Sequence, residues 1–568
     1  QKKESVFGSI SQTTSKDLEK TGGLNNLSAA LTGNLPGLIT VQNNGLPGED
    51  NPTLLIRGQT TWNGSSPLVL VDGIERPLSD VDINSVETIS ILKDASATAV
   101  YGVRGANGVV LITTKRGEEG KASINIGANI TLKTVSKLPG KLDAYDAQMR
   151  RNQIAEYELP RFPDVWNEMR SQSLIDKYRF RGEDERDEYG TLLTERYPNV
   201  DWQDVVFKDA ALSYNFNIGI RGGTKKLKYF VSADYSHEGD LFKEFDSGRG
   251  YNSKFEYDRL NTRSNIDFLL TNTAVFKVSL FASYGKRSYP PGAAGSTTNV
   301  DRYMNSVYNL PAYIFYPQYE DGAYGFSSVG GANNPLVEFA TRGLYEVTNT
   351  RISADFVLEQ DLKFILKGLS FKAALSWDNR FREEDRGIKD RDPGQSGGVF
   401  VKYINPIDGT VELDTQNQGY DSGTQFDWVP SVGWTTRGGV TKNGSTYRGL
   451  NYNAQLNYTQ KFAKVHDVTL MVNAMRQEYS SSSNIPTYRE DYVFRGTYDY
   501  AKRYFFEYNG AYNGSEKFAP ENRFGFFSSG AIGWMVSEEK FMKKIKFLDM
   551  LKLRLSYGKI GDDNIGER

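Results

Sequence analysis

From about residue 121 onward the chain repeats one pattern, in which apolar residues alternate with polar ones over runs of about ten positions. Leu227, Tyr229, Val231, Ala233 and Tyr235 alternate with Lys228, Phe230, Ser232, Asp234 and Ser236, and Ala274, Phe276, Val278, Leu280, Ala282 and Tyr284 repeat the period. The clearest run sets Tyr452, Ala454, Leu456 and Tyr458 against Asn451, Asn453, Gln455, Asn457 and Thr459, so that its second face is uncharged but wholly hydrogen-bonding. A period of two sends successive side chains to opposite faces of a strand, which predicts strands with one apolar and one polar face. Similar alternation at 214–220, 266–270, 369–377, 504–512 and 551–557 brings the total to roughly a dozen to fourteen candidates between 121 and 561.

Before residue 120 the pattern is different. Leu68, Val69, Leu70 and Val71 form a short apolar run closed by Asp72-Gly73, and residues 109–114 form another closed by Lys115-Arg116-Gly117. Both predict buried strands that end in turns. Asp94 or Ser96 can cap a following helix, and Gly102 suits its left-handed end. The expected organisation is a small α/β unit over 1–120 and a strand-rich body over 121–568. Gly102, Gly105 and Gly108 superficially suggest a phosphate loop, but they follow a helix and precede a strand, the reverse of the dinucleotide fingerprint.

Composition narrows the class of strand-rich body. Of 568 residues only 38% are apolar, mean hydropathy is −0.53 and no long apolar run occurs, which excludes a helical membrane protein. A transmembrane barrel remains open, because each of its strands needs only one apolar face. The 34 Tyr, 31 Phe and 7 Trp would suit interfacial girdles, and also a large soluble β protein. Cysteine is absent and only His237 and His466 could act as imidazole bases or ligands, so no catalytic, cofactor or metal site is expected. With 68 basic against 70 acidic residues there is no footprint for nucleic acid, and the acidic run 183–188 reads as a solvated loop.

The punctuation of the N-terminal unit is more specific. L-T-G-N-L-P-G-L at 31–38, I-R-G at 56–58, P-L-V-L-V-D-G at 67–73 and I-L-K-D-A-S-A-T-A-V-Y-G-V-R-G-A-N-G-V-V-L-I-T-T-K-R-G at 91–117 together resemble the plug domain of SusC/RagA-type TonB-dependent outer-membrane transporters. The resemblance implies a membrane all-β fold: a large antiparallel transmembrane β-barrel of about 22 strands when complete, with an N-terminal α/β plug domain in its lumen. Only part of that barrel is expected here. The segment with the TonB box and the closing strands are absent by the same comparison, since an open edge in lipid would leave backbone groups unsatisfied.

The implied function is TonB-dependent import of a nutrient oligomer, an oligosaccharide or an oligopeptide, across the outer membrane of a Gram-negative bacterium. The implied partners are a SusD-like surface lipoprotein, the TonB–ExbB–ExbD complex and outer-membrane lipid. A siderophore, haem or cobalamin receptor is the nearest alternative, followed by a non-transporting receptor or adhesin of the same fold. A hydrolase in the barrel would need a triad or a carboxylate pair that two histidines hardly support.

Candidate sites follow from loops and plug. Long connections are expected at about 138–210, 289–346 and 386–427. In the second, Tyr303, Tyr308, Tyr313, Phe315, Tyr316, Tyr319, Tyr324 and Phe326 are interleaved with Asn, Asp and Gly. Aromatic faces beside amides suit a sugar or peptide, which makes Tyr308, Tyr313 and Tyr316 candidate substrate contacts, with simple loop packing as the alternative. Trp62 and Asn63, in a stretch resembling the plug loop that faces the extracellular cavity, are further candidates. Arg57 and Arg104, beside plug glycines, are candidate anchors to carboxylates on the barrel wall.

Overall fold

The computed structural model describes residues 10–19, 27–42, 45–49, 52–59, 65–94, 98, 101, 104–246, 250–291, 304, 307–327, 334–390, 401–413, 434–442, 445–482, 484–542, 548, 550–559 and 561. The N-terminal unit is built on a five-stranded sheet in the order Ile10–Thr14, Val86–Leu92, Val109–Thr114, Leu68–Val71, Ile74–Glu75. Leu68–Val71 runs parallel to Val109–Thr114, while Val86–Leu92 is antiparallel to it. The two apolar runs read from the sequence are therefore adjacent strands. Val71, Val86, Ile89, Ile91, Val110 and Ile112 are all but fully buried, together with Leu27 and Ala30 of the short helix beneath and Leu31 just after it. This is an ordinary apolar core.

The body is one continuous antiparallel sheet. Thirteen strands follow one another from Gly120–Thr134 to Lys552–Gly558, each paired with its neighbour in chain order, and two short strands at 435–437 and 440–441 pair with Leu369–Lys389. The thirteen agree with the dozen to fourteen candidates counted in the sequence. Among the described residues the first and last of these strands do not pair with each other. Connections alternate in length: 224–226, 272–273, 463–465 and 501–503 are tight turns, whereas 135–209, 290–342 and 390–446 are long and all lie at the opposite end.

The sheet has reversed polarity. Leu456, Tyr452, Val231, Tyr235, Leu280 and Tyr284 are 36–48% exposed, while Asn451, Ser232, Asp234, Ser279, Asp355 and Asn509 on the other face are buried. A soluble sandwich buries its apolar face against a second sheet. Here the apolar face looks outward and the polar face grips the plug, the arrangement of a barrel in lipid.

Candidate functional site

The edge hairpin of the plug positions its main contact with the wall. Val71 pairs directly with Ile74 across a two-residue turn in which Asp72 and Gly73 both have positive φ, 52° and 94°. This is a type I′ turn, and Asp-Gly is a preferred pair for it. Asp72 also accepts hydrogen bonds from Thr114 N at 3.0 Å and Thr114 Oγ1 at 2.6 Å, tying the turn to the next strand. The V-D-G motif is therefore a structural device that fixes where the chain leaves the hairpin.

Three residues beyond the turn stands Arg76, only 7% exposed. Its Nη1 and Nη2 donate to Asp355 Oδ2 and Oδ1 at 2.9 and 2.6 Å, and its Nε donates to Asp378 Oδ1 at 2.9 Å. Burial by itself would lower the pKa of the guanidinium. The hydrogen bonds and charges of Asp355 and Asp378 outweigh this and raise it above the ordinary arginine value. Pro77 follows immediately, limiting the backbone freedom of the segment that carries the arginine.

Further bonds distribute the attachment around the plug. Arg116 donates to Asp267 Oδ1 at 2.8 Å and Ser279 Oγ at 3.1 Å. Asn265 donates to Thr114 Oγ1 and to the Lys115 carbonyl, and Arg351 donates to Ser79 Oγ at 3.2 Å. At Gly117 the exit from the plug passes so close to the wall that a Cβ would collide with the backbone of Lys228 and Tyr229. On another side, Asn84 Nδ2 reaches both Asp82 Oδ1 and Asp234 Oδ2, and Asn215 also donates to Asp234 at 2.6 Å. Burial, with the nearby Asp234 charge, pushes the Asp82 carboxyl up to about 7.

The anchors expected from the sequence each form an ion pair. Arg57, 52% exposed, pairs with Asp94 at 2.6 Å, and Arg104 pairs with Glu75. Both carboxylates belong to the plug. Arg76 and Arg116 do reach wall carboxylates, 279, 302 and 151 residues away, so no local motif could have marked them.

The long loops form a second apolar core. Trp202, Phe207, Phe242, Phe245, Phe255, Phe315 and Phe339 bury together with Leu46 of the plug. Phe315 and Tyr319 of the aromatic stretch are buried, so loop packing explains them. Tyr308 is 39% exposed and lines a cavity of about 580 Å³ with Tyr313 and Trp202. Tyr316 lies instead against Tyr319, with ring centroids 6.1 Å apart. Trp62, Asn63, Tyr303, Ser96 and Gly102 lie outside the described residues.

His237 Nδ1 is 2.9 Å from Asp258 Oδ1 and stacks on Tyr214, and His466 Nδ1 is 2.8 Å from the Tyr498 hydroxyl. Among the described residues no group of His, Asp and Glu side chains could hold a metal ion, and no helix is long and apolar enough to cross a membrane.

Residues 2–109 match the family model described as the TonB-dependent Receptor Plug Domain. The whole chain is 27% identical to TonB-dependent receptor SusC of Bacteroides thetaiotaomicron, covering 53% of that protein. It is 26% identical to TonB-dependent receptor P26 of Formosa agariphila, covering 52% of it. The chain thus spans about half the length of these curated relatives. Among solved structures, the RagAB peptide importer in its open-open state superposes with a TM-score of 0.73 at 19% identity, over 100% of this chain and 61% of that one. The siderophore receptor PirA of Acinetobacter baumannii gives 0.53 at 12% identity, over 99% and 62%.

The polar sheet face clasping an α/β plug, with the plug match, defines a plugged barrel of the TonB-dependent receptor class. Within that class the chain is similar to SusC in sequence and to the RagAB importer in fold.

Proposed function

We propose that this chain is the plug and first part of the barrel of an outer-membrane importer that takes up a nutrient oligomer, a glycan or a peptide. One observation carries the reading: a water-compatible inner sheet face is filled by a plug held through buried ion pairs, above all Arg76 with Asp355 and Asp378. A lumen filled in this way gives no free diffusion path. Import past it requires the plug to be displaced, and the outer membrane holds no ATP, so work must come from a partner in the inner membrane. In this reading TonB–ExbB–ExbD supplies that work and a SusD-like lipoprotein covers the loop-bearing mouth. Trp62, Asn63, Tyr308 and Tyr313 are proposed contacts of the oligomer on its way in.

The names of the relatives support the same direction, since one is a SusC receptor and another is titled a peptide importer. The siderophore receptor superposes less well than the peptide importer, which favours the oligomer reading. The test is a strain lacking the full-length gene, grown on single glycans and peptides, with uptake of labelled oligomer measured with and without TonB. Loss of growth and uptake on one oligomer class, reproduced by removing TonB, is expected. Unchanged uptake of every oligomer would overturn the proposal.

A further inference from the structure

One rung of the wall above the Arg76 anchor carries two positive charges side by side. In the pairing of Gly343–Asp361 with Leu369–Lys389, Asp355 stands opposite Ser376, Ser353 opposite Asp378, and Arg351 opposite Arg380. All six share the inward face, because Ile352, Trp377 and Phe381 between them are exposed on the outer one. Like charges directly opposed across a strand pair are destabilising, so this rung is costly to the resting sheet. The neighbouring wall carboxylates, Asp355 and Asp378, both accept hydrogen bonds from Arg76. Arg351 donates to Ser79 Oγ, and the Arg380 guanidinium makes no ion pair or hydrogen bond among the described residues.

The rung also faces open space. Arg351 and Arg380 line a cavity of about 470 Å³ between the edge hairpin of the plug and the wall, with Tyr447, Asn451, Gln477 and Tyr479 beside them. Tyr447 and Tyr479 sit at the strand ends that lead into loops, so the cavity lies toward the loop-bearing mouth. Of the other cations there, Arg104 is paired with Glu75 and Arg489 with Asp491. Glu478 of a more distant strand and Glu516, just past the end of another, complete the acidic lining.

We propose that Arg351 and Arg380 form an anion-binding subsite that receives a carboxylate carried by the imported oligomer. The subsite rests on the import reading for its place on the path, and on its own geometry for its chemistry. Two adjacent guanidinium forks present the donors that a carboxylate accepts from, and an arriving anion removes their mutual repulsion. The carboxylate could belong to a uronic-acid glycan or to an acidic peptide.

The test is calorimetry at low salt on the full-length protein, with tetragalacturonate and tetraglutamate as charged probes. Maltotetraose and a capped tetraglutamine serve as neutral counterparts. Wild type should bind one charged probe more tightly than its neutral counterpart, and which one distinguishes glycan from peptide. Arg380→Gln should weaken that binding about tenfold, as loss of a charged hydrogen bond would, and leave neutral binding unchanged. Its ligand-free unfolding midpoint should be equal to or above wild type, which separates a lost subsite from a damaged fold. Equal affinity of wild type for charged and neutral probes, binding of neither, or wild-type affinity in Arg380→Gln would each overturn the subsite. Charge-selective binding without TonB-dependent uptake in cells would keep the subsite and remove the import reading.

Discussion

The plug and the barrel wall solve the burial problem in opposite ways. Ile89, Ile91, Val110 and Ile112 of the plug are buried to within 2% of complete exclusion from solvent. On the wall Leu456, Val472 and Leu280 are 44–52% exposed, while Asn265, Asp234 and Asn509 are 2% exposed or less. The plug is held together by apolar area removed from water, as in a soluble domain. The wall is held by its ladder of backbone hydrogen bonds, its outer face needs lipid, and its inner face needs polar partners. The seam between the two is consequently polar, built from Arg76, Arg116, Asn84 and Asn265. A polar seam holds the plug in place, and its hydrogen bonds are ones that water can also make.

The sharpest way to break this comparison is to remove the seam at its most buried point. Arg76→Ala leaves the buried Asp355 and the partly buried Asp378 without this partner, at an expected cost of about 3–5 kcal/mol in unfolding. Planar-bilayer conductance of the full-length protein should rise as the plug loosens. Unchanged conductance and stability would mean that the pair is incidental. Next in size is the outer face: Leu456→Arg should cost about 2–4 kcal/mol and Asn457→Arg much less, measured by urea unfolding from liposomes. Equal losses would remove the assignment of faces.

A smaller effect is expected at Asp82, where Arg259 and Arg263 oppose the burial that raises its pKa to about 7. The folded chain keeps a proton that the unfolded chain releases near about pH 4. Stability from this group is therefore fully present below pH 4 and is lost as pH rises through 7. Asp82→Asn should flatten that decline in the urea midpoint, and an unchanged slope would contradict it. The smallest change belongs to Arg57→Ala, since its pair with Asp94 is half exposed, and about 0–1 kcal/mol is expected. A loss matching that of Arg76→Ala would erase the distinction between pairs within the plug and pairs across the seam.

Much of this was legible in the sequence, and what was not has a physical cause. The alternation at 451–459 fixed the outward and inward faces because a strand has no other way to place successive side chains. The V-D-G motif marked a turn because few residue pairs tolerate two positive φ values. The wall contacts of Arg76 and Arg116 were not legible. Arg57 and Arg104 stand beside glycines, which report on the backbone and say nothing about where a long side chain reaches. Arg76 carries no such sign, and its carboxylates come from strands some three hundred residues later. The aromatic stretch of the second long loop was ambiguous for a related reason, because a ring that closes a loop core and a ring that meets a ligand have the same composition. Burial separates Phe315 and Tyr319 from Tyr308.

The reversed polarity of the wall is open to one direct measurement. A bimane label is placed on single cysteines at Leu456 and Asn457 of a cysteine-free full-length protein in liposomes whose acyl chains carry bromine. The label at 456 should be strongly quenched by the brominated lipid and the label at 457 should not. Equal quenching at the two positions, or stronger quenching at 457, would contradict a wall whose apolar face meets lipid and whose polar face holds the plug.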